Sequence, residues 1–432
     1  MSNIVIVGAS GFIGRNLAIA LADAGHSITC GIRYLPLPRE LRGFNSIKLD
    51  YTDKNFADDL EQNLLGIDVV INSVGILREN DAQSFSTLHQ LGPQTLFSFC
   101  AAAGIRIIQI SALGADENAT TSYHRSKKAA DDFLLSLTHD AVIVQPSLVY
   151  GTGGASAKLF NLIASLPVIP LPGNGNQTIQ PIHIADLTSA IVTLVNQKEF
   201  HGQRVHLVGP TPLTLHEYFR ELRRMLEFGP GRFIHIPLPL VELGARIGTT
   251  LPHALLDLDT WKMLKRGNTS NSSDTIKLLK HEPRAVRNFA SSAEEAKNFR
   301  ISALLSWLML IIRLSLATVW LIAGIVSLGI YPIEESYELL ERVGITGIFA
   351  TWTLYSAATM DICFGLATLF LKQRQTLWIA QAMLIIVYTL VITIYLPEFW
   401  LHPFGPLVKN LPILALILVL YQLEKTDGLY HR

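Results

Sequence analysis

Cysteine is scarce in this 432-residue chain, and charge is thin. The three cysteines, Cys30, Cys100 and Cys363, stand far apart and are odd in number, which excludes a disulfide framework and leaves no Cys/His spacing of a zinc site. None lies in a nucleophile setting. Charged residues make up only 16% of the chain, with 35 Lys+Arg against 35 Asp+Glu, so there is no net charge and no basic stretch to hold a nucleic acid. A basic segment ahead of an apolar run is also lacking at the start, so no signal peptide is expected. So little charge beside 49% hydrophobic residues places part of the chain in lipid. The length predicts two or three domains.

What is present begins with glycine. Gly8, Ser10, Gly11, Phe12, Ile13 and Gly14 follow the apolar run Ile4-Val5-Ile6-Val7 and lead into the helical pattern Arg15 to Ala22. A buried strand turns through glycines into a helix, and the backbone can approach a pyrophosphate there without Cβ clashes. Free N–H groups and the positive end of the helix dipole face the anion. The metal-free phosphate seat of a dinucleotide is the expectation.

Short apolar strands alternate with helical stretches up to about Tyr150, which predicts βαβ units around a parallel sheet. The expected strands are Ile4 to Val7, Ser27 to Ile32, Ser46 to Leu49, Val69 to Ser73, Ile105 to Ser111 and Ala141 to Gln145. Their continuous apolar character suits a sheet covered on both faces. From 151 to 300 a smaller lobe is expected, with a further strand at Val205 to Val208 and an exposed polar loop from Lys265 to Asp274.

After Arg300 the pattern turns to membrane. Four spans are expected, at about 303–329, 347–371, 376–396 and 404–423, each near the roughly 20 residues a crossing helix needs; Lys409 and Pro412 interrupt the last. Lys280, Arg284, Arg287, Lys297 and Arg300 precede the first span, and Lys372 and Arg374 lie between the second and third. Glu334, Glu335, Glu338 and Glu341 dominate the loop between the first and second. Positive residues stay inside, so the nucleotide domain is expected in the cytosol. Arg313 and Asp361, costly in lipid, are expected to pair.

Tyr123 and Lys127 are four apart at the start of a helical apolar stripe, so they share a helix face. A lysine ammonium near a phenol lowers the tyrosine pKa, which suits proton exchange with a substrate oxygen while a nicotinamide carries hydride. Ser111 ends the preceding strand and is placed to donate to that oxygen. The chemistry predicted is carbonyl reduction or alcohol oxidation. At the end of the second strand, where an acidic residue would hold the ribose hydroxyl of NAD, stands Arg33. Its guanidinium suits a 2′-phosphate, so NADP(H) is expected, with NAD(H) as the alternative.

The glycine turn, Asp50-Tyr51, Val70 to Gly75, Ser111, Tyr123 with Lys127, and Pro146 to Gly151, taken in that order, resemble the extended and atypical short-chain dehydrogenase/reductases over about residues 1–290. The resemblance implies a Rossmann-type α/β doubly wound parallel sheet with a small substrate lobe. It also implies Asp50 and Tyr51 near adenine, Asn72 and Gly75 beside the cofactor, Pro146 near the nicotinamide, and Ser111, Tyr123 and Lys127 as the active site. Ile182 to Asp186 resembles the family's substrate-lobe signature; His183 and Asp186 are read as structural. Two features depart from the pattern: Asp116-Glu117 follow Ser111 too late for the acid pair of the sugar dehydratases, and Gln145 stands where a basic residue is common. The branch most similar is that of the nucleotide-binding accessory subunit of respiratory complex I. Residues 303–425 resemble DoxX-like four-helix membrane domains.

The expectation is therefore a multi-pass protein of a bacterial-type inner membrane, acting as an oxidoreductase on a lipid-like or quinone-related substrate. The alternative is a cofactor-binding module that senses redox state or stabilises a membrane complex.

Overall fold

The computed structural model describes residues 1–197, 199–251 and 256–430, with side chains up to Glu424. It divides into two units, one reaching Ala303 and one starting at Leu304.

The first unit is built on a seven-stranded parallel sheet. Its strands β1 (Asn3–Val7), β2 (Ser27–Ile32), β3 (Asn45–Lys48), β4 (Val69–Asn72), β5 (Arg106–Ile110) and β6 (Ala141–Pro146) lie in the order β6-β5-β4-β1-β2-β3. Gln203–Leu207, from the later lobe, adds to β6 in parallel, with Val205 opposite Val144. The strands fall within a residue or two of their sequence expectation, because all but the edge strand β3, which is polar and largely exposed, are mostly buried apolar runs. Helices cover both faces, as a sheet with apolar residues on both sides requires. On one face α1 (Phe12–Asp23) and Ile184–Asn196 pack through Leu17, Leu21, Ile191 and Leu194. On the other, α2 (Phe56–Asn63), α3 (Gly92–Ala102) and α4 (Ser122–Leu137) pack through Leu60, Leu96, Phe97 and Leu134. The chain leaves β1 toward β2 on one side and returns beyond it with β4 on the other. The crevice between the C-terminal ends of β1 and β4 is thus the switch point where such sheets bind ligands.

The polar stretch from Lys265 to Asp274 is only in part the exposed loop expected: Lys265, Arg266, Thr269, Asn271 and Ser273 are exposed, and the others are half-buried. It finishes the helix Leu258–Arg266, crosses the lobe and enters the helix Ser273–Leu279. Asn268 Oδ1 accepts from Leu148 N–H at 2.7 Å, Ser270 N–H donates to Gln180 Oε1 at 3.0 Å, and Asp274 accepts from His206 N–H at 3.2 Å. Its polar side chains serve backbone groups at the sheet edge, where unpaired donors would be costly.

Gly347–Phe370 and Gln375–Tyr395, in the second unit, match the expected spans, and the helix of the first span starts earlier than expected, at Ala293 within the first unit, and runs to Ile330. These three helices are long and apolar enough to cross a membrane. The fourth helix starts at Asn410 rather than about 404, because Pro403, Gly405 and Pro406 precede it and Pro412 is tolerated only in a first turn. Its apolar part, Asn410–Glu424, is shorter than a full crossing. Trp378 is fully buried among Leu316, Ile385, Ile417 and Leu420. Gly324 and Gly365 bring two helices together, since a Cβ on Gly324 would lie 2.6 Å from Ala358 O and one on Gly365 2.6 Å from Leu321 Cγ.

The expected pairing of Arg313 with Asp361 is replaced by another. Arg313 Nε donates to Glu424 Oε1 at 2.8 Å, and Trp378 Nε1 donates to Glu424 Oε2 at 2.9 Å. Glu424 sits on the last helix, beyond the span read from the sequence, and reaches Arg313 only once the helices are packed. Replacing Glu424 alone by leucine leaves the guanidinium unpaired. It is expected to lower the melting temperature in detergent by more than the joint Arg313→Met and Glu424→Leu change, which removes both charges. Melting of the two variants followed by intrinsic fluorescence checks this.

Candidate functional site

The glycine turn has the conformation its sequence demands. Gly8 has φ +82°, a left-handed backbone that side chains rarely adopt. Its N–H donates to Gly31 O at 2.9 Å, and Gly11 N–H closes the turn on Gly8 O at 3.0 Å. Gly11 caps α1 with no side-chain hydrogen bond, so the first N–H groups of that helix are free of a capping side chain and offer an anion seat. Gly14 packs the helix on the strands: a Cβ there would lie 2.4 Å from Gly8 O and 2.6 Å from Ser73 Oγ. Ser10 is exposed beside the turn, while Phe12 and Ile13 are half-buried. A backbone-lined cradle at the switch point fits a dinucleotide pyrophosphate.

Arg33 directly follows β2. Its Nε lies 3.3 Å from Asp50 Oδ2, and its guanidinium lies 4.8 Å from the Tyr34 ring centre. Asp50 is held by Thr52, whose N–H and Oγ1 both donate to Oδ1. Tyr51 is turned inward; its hydroxyl donates to Asn72 Oδ1 at 2.9 Å, and its ring fills the space that a Cβ on Gly92 would take. Asn72 is fully buried, donates to Gln109 Oε1 at 2.8 Å and accepts from Val74 N–H at 3.3 Å. Tyr51 and Asn72 are thus occupied with each other and fix the turn from Val74 to Gly75. Gly75 leaves room for Lys127, whose Nζ would be 3.1 Å from a Cβ at that position.

Helix α4 begins behind Thr121, whose hydroxyl accepts from His124 N–H at 3.2 Å. It brings Lys127 to the ends of β4 and β5 and carries Tyr123 one turn earlier. The buried Lys127 ammonium donates to Val74 O at 2.9 Å and Ile110 O at 3.2 Å. Ser111, one residue past β5, donates to Asp131 Oδ2 at 2.5 Å. The Tyr123 ring is half-buried, with centroid distances of 6.2 Å to Phe85, 5.6 Å to His89 and 5.4 Å to His124.

The sequence expectation that Lys127 lowers the Tyr123 pKa is reversed in this structure. Burial, reinforced by the charge of Asp131, pushes the phenol up to about 12. The ammonium is spent on two carbonyls, so desolvation outweighs its attraction for a phenolate. Lys127 itself is pulled down by burial and supported by Asp131, and Asp131 is pushed up by burial against the hydrogen bond from Ser111.

Asp131 and His89 were not singled out from the sequence. Asp131 lies four residues after Lys127 and eight after Tyr123, a helical spacing that was there to be read. It is completely buried and also receives Gln145 Nε2 at 3.3 Å, so Gln145, noted as a departure from the family pattern, belongs to this network. His89 comes from a π-helical turn, Ser86–Leu91, a local irregularity common at functional sites. Its Nε2 accepts from Ile76 N–H at 3.0 Å, which leaves Nδ1 to donate to Ser126 Oγ at 2.9 Å. Burial and the nearby Lys127 push its pKa down to about 2, so the ring is neutral. No spacing signal marks it.

Pro146 is buried at the end of β6, and its carbonyl accepts from Leu113 N–H at 2.9 Å. His183 Nδ1 accepts from Ala185 N–H at the start of its helix and lies 3.0 Å from Arg284 Nη1. Asp186 Oδ2 accepts from Arg284 N–H at 2.7 Å. Cys30 and Cys100 are buried, and burial pushes their thiols up to about 11 and about 12, so neither is poised as a nucleophile.

Residues 4–209 match the NAD dependent epimerase/dehydratase family, and residues 317–418 match the DoxX-like family. The NADH dehydrogenase [ubiquinone] 1 alpha subcomplex subunit 9 of Arabidopsis thaliana is 28% identical over 250 residues, 55% of this chain. The ceramide reductase of Caulobacter vibrioides is 30% identical over 190 residues, 44% of this chain. The matches span 61% and 59% of those relatives' own lengths. Among solved structures, a UDP-glucuronic acid 4-epimerase from Bacillus cereus, in complex with UDP-glucuronic acid and NAD, superposes with a TM-score of 0.52 at 18% identity. It covers 68% of this chain and 99% of its own. A nucleoside-diphosphate-sugar epimerase from Staphylococcus aureus gives 0.55 at 18% identity, covering 66% and 99%. At such identity the likeness is one of fold.

Proposed function

We propose, for a chain that joins an NAD-dependent epimerase/dehydratase domain of the short-chain dehydrogenase/reductase type to a DoxX-like membrane domain, that it is a membrane-anchored NADP(H)-dependent oxidoreductase. Its substrate is a carbonyl or hydroxyl group on a lipid-like molecule, reached from the cytosolic face of a bacterial-type inner membrane. The observation that supports this reading is the placement of Lys127, between Val74 O and Ile110 O beside the glycine cradle, on the helix that also carries Tyr123 and the Asp131 bound by Ser111.

The cradle from Gly8 to Gly14 would hold the pyrophosphate, Arg33 the 2′-phosphate, and Gly75 and Pro146 the nicotinamide side, with residues 151–300 forming the substrate lobe. The bound cofactor supplies or accepts hydride. In the reductive direction Tyr123 donates its phenolic proton to the carbonyl oxygen as the carbon is reduced. Ser111 donates a hydrogen bond to the same oxygen, which requires it to leave Asp131. Lys127 holds positive charge beneath the site, and that charge favours the phenolate left behind only when the ammonium leaves Val74 O and Ile110 O. A lipid substrate is supported by the membrane unit and by the likeness to a ceramide reductase, and sugar dehydration is disfavoured by the late position of Asp116.

A second reading, a cofactor-binding module in a membrane complex, is favoured by one observation: the Lys127 ammonium is bound to two carbonyls. The likeness to an NADH dehydrogenase subunit is consistent with it. The experiment is NADPH oxidation by the full chain in lipid nanodiscs, supplied with long-chain carbonyl lipids or with nucleotide sugars. Turnover on the lipids supports the oxidoreductase reading. Turnover on sugars alone overturns the substrate class, and none on either favours the binding module.

Cofactor choice has its own test. Arg33→Ala is expected to weaken NADPH binding about tenfold or more while leaving NADH binding near its original value, as loss of a charge-assisted phosphate contact predicts. Titration calorimetry with both cofactors reads this directly, and unchanged NADPH affinity would remove Arg33 from the site.

A further inference from the structure

The helix Leu238–Thr250 presents three distinct faces. Val241 and Ala245 are buried against Trp261 of the neighbouring helix. Glu242 and Arg246 lie on a polar flank, paired at 3.3 Å. The remaining face carries Leu240, Leu243 and Ile247, continued by Leu251, each between 53% and 58% exposed. Their spacing of three, four and four residues aligns them in one stripe. Large apolar side chains aligned in this way on a water-facing surface are unfavourable and mark a contact surface.

We propose that this stripe seats the nucleotide-binding unit on the bilayer surface. The occupant follows from the chain itself: a helix long and apolar enough to cross a membrane begins at Ala293, so covalent connection keeps lipid within reach of the unit that carries the stripe. A helix with an apolar stripe, a charged flank and a buried third side is built to lie in the interface, its apolar residues below the headgroups. The inner side of the same helix pair is tied to the candidate site. Trp261 and Arg266 share one helix, and Arg266 Nη1 donates to Gly114 O at 2.8 Å while Nη2 contacts Asp116, three to five residues beyond Ser111. Asp257, which caps that helix, is paired with Arg78 after β4. Seating the stripe would therefore present the helix pair that borders the site to the lipid phase.

The test uses the full chain in nanodiscs, with Cys363→Ser as background and the buried Cys30 and Cys100 retained. Leu243→Cys, Ile247→Cys and Glu242→Cys are each labelled with an environment-sensitive fluorophore. The lipids carry a nitroxide high on the acyl chain. Seating about 5–10 Å into the headgroup boundary should quench the labels at 243 and 247 by roughly half or more, with little effect at 242. Labels at 243 and 247 that are reached by aqueous iodide and not by the lipid nitroxide overturn the proposal. Labels protected from both quenchers overturn it too, since the face is then covered by protein. The readout does not depend on turnover, so failure of the seating and failure of the oxidoreductase reading are told apart.

Discussion

Tyr123→Phe is expected to lower turnover by about 10²–10⁴-fold, the usual contribution of a positioned proton donor, and to leave NADPH binding unchanged. The ring keeps its place among Phe85, His89 and His124, and only the hydroxyl is lost. The direction of reaction sharpens the expectation. Burial and the Asp131 charge push this phenol up to about 12, so the acid form is present throughout the neutral range. Carbonyl reduction, which needs the acid, should show no fall from Tyr123 between pH 6 and 9. Alcohol oxidation needs the phenolate and should climb with pH, about tenfold per unit while the pH lies below that pKa. Initial rates in both directions check this. An oxidative plateau near neutrality would mean that Lys127 leaves Val74 O and Ile110 O and turns its charge to the phenol once cofactor is bound.

The second large effect is expected at Gly14. Its alanine variant places a methyl group 2.4 Å from Gly8 O, 2.6 Å from Ser73 Oγ and 2.9 Å from Ala9 Cα. Backbone atoms cannot rotate away, so α1 must move off the turn. Overpacking of this kind costs roughly 1–3 kcal/mol, and moving the helix also removes its N–H groups from the phosphate position. NADPH binding should fall below detection by calorimetry, while the isolated change in melting temperature stays modest. Gly25→Ala is the contrasting case for space, since nothing lies within 4 Å of a Cβ there, although its φ of +86° still strains the backbone. It should lose stability without losing cofactor. Equal binding by Gly14→Ala and the unaltered chain would mean that the cradle is not the phosphate seat.

Much of the site was legible because its signals are local. An apolar run, three glycines and a helical pattern fit within the first 22 residues, and only a strand–turn–helix satisfies all three. Tyr123 and Lys127 share a face because helical periodicity requires it. Asp131 carried the same periodicity, but its meaning depends on the approach of Ser111 from β5. His89 had no signal, since its role comes from Ile76 N–H and Ser126 on other segments. Arg313 was read correctly as a residue in need of a partner. The choice of Glu424 over Asp361 awaited helix packing.

The order of strands and helices along the chain, the position of the glycine turn and the extents of the second and third long apolar helices are properties of residue pattern alone, because backbone hydrogen bonding and apolar burial act over a few turns. The high pKa of Tyr123, the carbonyl-bound Lys127, the buried Asp131 beneath Ser111 and the closure of residues 265–274 over the sheet edge were decided by tertiary structure. Each depends on desolvation or on a partner from another segment, and neither is encoded in local spacing.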